Sequence, residues 1–150
     1  MDPRHELAES IVHHYLMMHR HQRRASHQLS KEFGISGREI AVLRFLAAEG
    51  SCSVGDISRH LDVRDATSSP LLDEMEQAGW VTRTRCVQDG RRLIISPTDQ
   101  GRRMAAEAPA TMLGRLRDRL PNLSVEELAT IDAALKRLID LADIDESLEG

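Results

Sequence analysis

Cysteine is scarce in this chain and long apolar runs are missing from it. Cys52 and Cys86 are too few to staple a small secreted fold, and behind the charged start MDPRHELAES they read as reduced thiols. No stretch approaches the roughly 20 apolar residues that a bilayer crossing needs, so a cytoplasmic protein with no membrane partner is expected. The sequence also lacks a G-x-S-x-G elbow, a phosphate-cradling glycine loop and an H-E-x-x-H pair. Those absences remove the readiest signatures of an enzyme, and no catalytic residue, cofactor or metal ion is expected. What is present is a globular composition, 41% hydrophobic and 29% charged over 150 residues, the length of one ordinary domain. A single domain over 1–150 is the expectation.

Charge is unevenly placed. The formal net charge is −4, yet between Gly79 and Arg103 six arginines stand against two aspartates. From Pro121 onward eight acids face only Lys136 and Arg137. A basic stripe on an acidic whole gives a field with a direction, able to draw a polyanion to one face.

The hydrophobic spacing predicts a helical chain. Leu7, Ile11, His14, Met18 and His21 stack on one face of a long amphipathic helix from about Arg4 to Leu29, broken at Phe33-Gly34. Ser36 with Glu39, and Ile35 with Ile40, form the capping box and staple of a second helix that ends near Gly50. After Ser51-Cys52-Ser53, which has room for one brief strand, Ser53 and Asp56 cap a short helix that turns at Leu61-Asp62-Val63. A further helix runs to Ala78 with Leu71, Leu72 and Met75 as its apolar stripe. Thr67 is the preferred cap, which puts Pro70 in the first turn, where no internal amide is lost; capping at Asp65 would put it inside the helix.

Trp80 to Val87 alternates with a period of two, Asp89-Gly90 is a hairpin signal, and Arg92 to Ser96 returns as a second strand. Thr98 caps a helix that bends near Pro109 and ends before Pro121. Ser124 opens a last helix carrying Leu128, Ile131, Leu135 and Leu138.

Helix, tight turn, helix and hairpin in that order read as a winged helix-turn-helix. The expected fold is mainly α, with a small antiparallel β-wing and N- and C-terminal dimerisation helices. Its second helix enters a major groove about 12 Å wide while the wing follows the backbone toward the minor groove. Thr67, Ser68 and Ser69 are then hydroxyls for phosphates or base edges, Arg91 and Arg92 point to the minor groove, and Arg64, Arg83 and Arg85 neutralise phosphates. The reading helix itself carries Asp65, Asp73, Glu74 and Glu76 and no basic residue, which leaves affinity to the wing.

Gly79-Trp80-Val81, Asp89-Gly90-Arg91 and Ser96-Pro97-Thr98-Asp99-Gln100-Gly101, in that order, resemble the G-x-V, D-x-R and L-T-x-x-G series of MarR-family transcriptional regulators. The resemblance runs from about Ser36 to Arg103 and more loosely through the flanking helices. It implies a DNA-reading lobe over about 36–103 and dimerisation helices over about 4–29 and 98–143, with Leu7, Ile11, Met18, Leu128, Ile131, Leu135 and Leu138 at the dimer interface. It implies that Asp89 orients Arg91, and that the usual role is a repressor of double-stranded DNA released by a small-molecule effector. Two reading helices on one axis suit an inverted-repeat operator. The segment Thr67 to Leu72 is most similar to organic-peroxide-sensing members, which sense through a cysteine in the first helix, and this chain has none there. Pro97 replaces the family's usual aliphatic residue and leaves the Thr98 cap usable.

His5, Glu9, His13, Met17 and His21 recur every four residues. One helix seldom completes a tetrahedral zinc site, so solvated or interface histidines are the plainer reading. Cys86 on the wing beside Arg85 has the cation that a reactive thiol needs, with packing as the plainer alternative for both cysteines. From a different class comes a winged-helix protein-interaction module that has lost DNA binding, for which the acidic reading helix is the main support.

Overall fold

A computed structural model describes residues 2–148. The chain divides between Gly37 and Arg38 into two compact units. The first holds α1 (Pro3–Phe33), a 31-residue helix whose start is fixed by Asp2, the side chain of which accepts from the Arg4 amide at 2.9 Å. It runs four residues past the expected end and stops where Gly34 turns left-handed at φ 65, a conformation that glycine adopts without penalty. Leu29 is the buried residue of α1, while Leu7, Ile11, Val12, Tyr15 and Met18 are exposed.

The second unit follows the order α2 (Gly37–Glu49), β1 (Cys52–Ser53), α3 (Val54–Leu61), α4 (Asp65–Gln77), β2 (Val81–Arg85), β3 (Leu93–Pro97), α5 (Asp99–Glu107), α6 (Met112–Arg119) and α7 (Val125–Leu141). Single 3-10 turns at Leu120–Asn122 and Glu146–Leu148 follow α6 and α7. The three strands form one antiparallel sheet in the order β1-β3-β2, with Cys52 opposite Ile95 and Arg83 opposite Ile95 on the other side. The core is aliphatic: Ile40, Leu43 and Leu46 of α2, Ile57 of α3, Leu72 and Met75 of α4 and Ile95 of β3 are all at 1% exposure or less.

Short-range signals decide most helix starts. Ser53 and Asp56 form a complete capping box on α3, Thr98 caps α5 through the Gly101 amide, and Ser124 caps α7 through the Glu127 amide. The carboxylate of Asp56 is held below its ordinary range chiefly by the Ser53 backbone amide and hydroxyl.

Two expectations are corrected. α4 begins at Asp65 with Arg64 as its N-cap residue, not at Thr67, because the Arg64 carbonyl already accepts from the Thr67 and Ser68 amides. Pro70 therefore lies inside the helix, where the carbonyl of Ala66 loses its intrahelical donor. The hairpin expected at Asp89-Gly90 forms, joining β2 to β3 through a loop longer than two residues. Gly90 does not take a positive φ; instead the Asp89 carboxylate accepts from the Arg91 amide at 3.1 Å and the loop closes through Cys86 and Arg92. The helix expected to bend at Pro109 is broken outright between α5 and α6, and Thr111 caps the new start. The broken segment is held by Arg44, whose Nη2 donates to the carbonyls of Ala108 and Pro109 at 2.9 and 3.0 Å.

Gly101 closes the lobe. A Cβ at that position would lie 2.1 Å from the Trp80 carbonyl oxygen, which itself accepts from the Thr98 amide at 3.0 Å. The close approach clamps the start of α5 onto the strand entry, so Gly101→Ala should destabilise the protein by roughly 1–3 kcal/mol through overpacking against backbone. Urea denaturation of the two proteins checks this.

Candidate nucleic-acid interface

The helix pair α3–α4 turns at Asp62, which adopts φ 57 and ψ 47 and lets Val63 donate to the Ser58 carbonyl. Inside the pair the Ser58 hydroxyl donates to the Ser68 hydroxyl at 2.8 Å, with Ser68 at 0% exposure and Ser58 at 4%. Ser68 is thus withdrawn from any ligand. The expectation that it meets DNA is wrong, because it stands four residues before Leu72 and seven before Met75, on the buried stripe of α4. Thr67 is half-buried, and Ser69 is exposed.

The acids of α4 have a partner on the neighbouring strand. Arg83, with its side chain only 22% exposed, pairs through Nη2 with Asp73 and with Glu76 Oε1 at 3.1 Å, while its amide donates to Glu76 Oε2 at 3.2 Å. These bonds, to Glu76 first and then Asp73, raise the guanidinium above its ordinary range. Arg83 was expected to neutralise phosphate. Its charge is spent on the helix it was expected to assist.

The wing tip carries the open cations. Arg91 is exposed and its side chain has no partner among the described residues, while its backbone is set by Asp89. Arg85 Nη1 donates to the Gly90 carbonyl at 2.9 Å and stiffens the loop from below. Arg92 lies 4.0 Å from Asp56 Oδ2, a loose pair with a side chain still 56% exposed. At the other edge Arg64, before α4, donates to the carbonyl of Ser147, so the 3-10 turn Glu146–Leu148 abuts the start of α4.

The thiols differ. Cys52 is buried and its pKa is pushed up to about 11, by burial first and then by the Asp56 and Glu49 carboxylates, which keeps it protonated and unreactive near neutrality. Cys86 is half-buried just past β2. Among the described residues no three histidine, cysteine or acidic side chains converge as metal ligands, and the histidine row of α1 is spread along the helix. Nor is any helix among the described residues long and apolar enough to cross a membrane.

The apolar faces expected at a dimer interface are open. Leu7, Ile11 and Met18 of α1 are 66%, 49% and 47% exposed, and Ile131, Leu135 and Leu138 of α7 are 41%, 54% and 37%. Leu128 is half-buried. Sequence reasoning missed the polar contact between His60 of α3 and Arg117 of α6, which lie 57 residues apart with no local signal joining them.

The MarR family model matches residues 33–92. The chain is 30% identical over 115 residues to the organic hydroperoxide resistance transcriptional regulator of Bacillus subtilis, covering 75% of each protein. It is also 30% identical over 118 residues to the HTH-type transcriptional regulator PecS of Dickeya dadantii, covering 77% of this chain and 71% of that one. Reduced AbfR bound to DNA superposes with a TM-score of 0.61 at 27% identity, over 93% of this chain and 96% of the other.

Removing the strand cation should expose the repulsion it suppresses. Arg83→Met is expected to cost about 1 kcal/mol, the combined worth of two partly exposed ion pairs. Asp73→Asn in the same background should recover part of that loss, and a urea-denaturation double-mutant cycle measures both.

Proposed function

Because the chain belongs to the MarR family of winged-helix regulators, and so is a DNA-binding regulator of transcription rather than an enzyme, we propose that it works as a homodimeric, effector-responsive repressor on an inverted-repeat operator. The observation that carries this reading is the exposed Arg91 at the wing tip, its side chain without a partner among the described residues, beside a reading helix whose Asp73 and Glu76 share the single positive charge of Arg83. Arg91 enters the minor groove, where narrow walls concentrate negative potential, and Asp89 holds its backbone for that approach. Arg92, Arg85 and Arg64 meet phosphates beside it. Thr67 and Ser69 face the major groove, and Ser68 serves them from within by holding α4 on α3.

A second copy of the chain covers the apolar stripes of α1 and α7, through Leu7, Ile11, Met18, Leu128, Ile131, Leu135 and Leu138. Faces of this kind are seldom left open on a monomer, and a two-fold partner buries both. The protomer acts as one domain, and an effector acts by favouring one spacing of the two reading heads over another, which requires different affinities for the two states. The rival reading, a protein-interaction module, draws on the acidity of α4 and loses force to the extent that Arg83 cancels it.

Arg91→Ala should lower affinity for the operator about tenfold or more, the range expected when one base-edge or groove arginine is lost. The dimer should persist in sedimentation. Unchanged binding in a gel-shift titration refutes the wing assignment. Selection from a random duplex pool should enrich an inverted repeat, and affinity for it should fall steeply with added salt.

A further inference from the structure

His60 lies in the last turn of α3, at a point where two other elements meet it. Its ring stacks on Phe45 of α2 with centroids 4.3 Å apart and planes 17° apart. From α6, Arg117 Nη1 lies 2.8 Å from His60 Nδ1 and also meets Nε2, while Arg117 Nη2 donates to the His60 carbonyl at 2.6 Å. A guanidinium only donates, so of the two ring nitrogens that Nη1 meets only the one carrying a lone pair can accept; a neutral imidazole offers one such nitrogen and the imidazolium none. A protonated ring would present N–H groups to N–H groups and set two cations together.

α6 depends on this contact more than an ordinary helix would. No residue of α6 is buried, and the chain before it is non-helical, tied to α2 through Arg44. The charged groups that face His60 are Arg117 from α6 and Glu49 from α2, while Arg59 and Asp56 of its own helix are paired with each other at 2.6 Å. Burial first and Arg117 second disfavour the imidazolium, and Glu49 opposes them without prevailing, so the ring titrates below its ordinary 6.5.

We propose that His60 and Arg117 form a proton-operated clasp that positions α6 on the reading helix pair: closed with His60 neutral, and released on protonation with loss of DNA affinity. This rests on the DNA-binding reading above. With the clasp closed, α6 and the α7 that follows it hold a fixed place relative to α3–α4. With it open, the reading heads lose a defined spacing and the operator is held less well. The sign follows from the lowered titration. The unfolded chain takes up the proton first as pH falls, so the clasp contributes fully above about 6.5 and its contribution is lost as pH falls from there toward the folded value.

The decisive comparison is between the natural protein and His60→Gln, whose side-chain oxygen can accept from Arg117 but does not titrate. Operator affinity is measured at fixed ionic strength at about pH 7.5 and about pH 5.5, the range over which a histidine changes charge. The natural protein should lose at least about fivefold more affinity over this range than the variant, the lower end of ordinary coupling between sites. Equal losses overturn the proposal.

Amide hydrogen exchange in the DNA-free protein separates this from the DNA-binding reading. After correction for intrinsic rates, residues 112–119 should lose protection at the lower pH in the natural protein and keep it in His60→Gln. No change in exchange overturns the clasp even if DNA binds. The exchange change without DNA binding at either pH upholds the clasp and removes its proposed output. Should His60→Gln fold poorly, the exposed Arg117→Gln serves instead: the His60 ring followed by NMR should titrate at higher pH than in the natural protein, and an unmoved titration counts against the clasp.

Discussion

The buried hydrogen bond between Ser58 and Ser68 sets the crossing of the two helices that would read DNA. Both hydroxyls lie in an otherwise aliphatic interior beside Ile57, Leu72 and Met75, where an unpaired polar group would cost about 1–3 kcal/mol. Each satisfies the other only if α3 and α4 meet at one rotation and one height. That rotation turns Ser68 inward, leaves Ser69 outward, and puts Asp73 and Glu76 on the side where β2 brings Arg83. The exposed chemistry of α4 is thus fixed by a bond buried beneath it.

The electrostatic plan is less contradictory than the residue list suggests. An acidic helix beside a basic strand would leave a reader poorly disposed to a polyanion if each charge stood alone. Arg83 binds two of those acids within the lobe, and the cations with freedom to act are moved outward to Arg91 and Arg92. Under the proposed function, binding strength and binding register would then fall to different elements, the wing and the helix.

Much of this was legible in the sequence, and the boundary of legibility has a physical reason. Ser53 with Asp56, Thr98 and Ser124 act over three residues, so their caps are readable without tertiary knowledge. The buried role of Ser68 was readable too, since positions 68, 72 and 75 share one helical face, but the hydroxyl itself suggested an outward role. The α4 start was misplaced because Arg64 caps with its backbone and offers no side-chain signal. The hairpin at Asp89-Gly90 was legible, whereas the hold of the Asp89 carboxylate on the Arg91 amide, which shapes its loop, was seen only in the folded chain. The pairing of Arg83 spans a helix end and a strand, and that of His60 with Arg117 spans 57 residues, so only the folded chain brings them together.

The bond from Arg64 to Ser147 ties the 3-10 turn Glu146–Leu148 to the N-cap of α4. Asp143, Asp145 and Glu146 lie on that returning segment, so carboxylates travel with it toward the place where phosphates would arrive. Under the proposed function, those acids form a tethered rival to the duplex at high local concentration, and replacing them with amides would loosen that internal competition without touching a single residue of the wing.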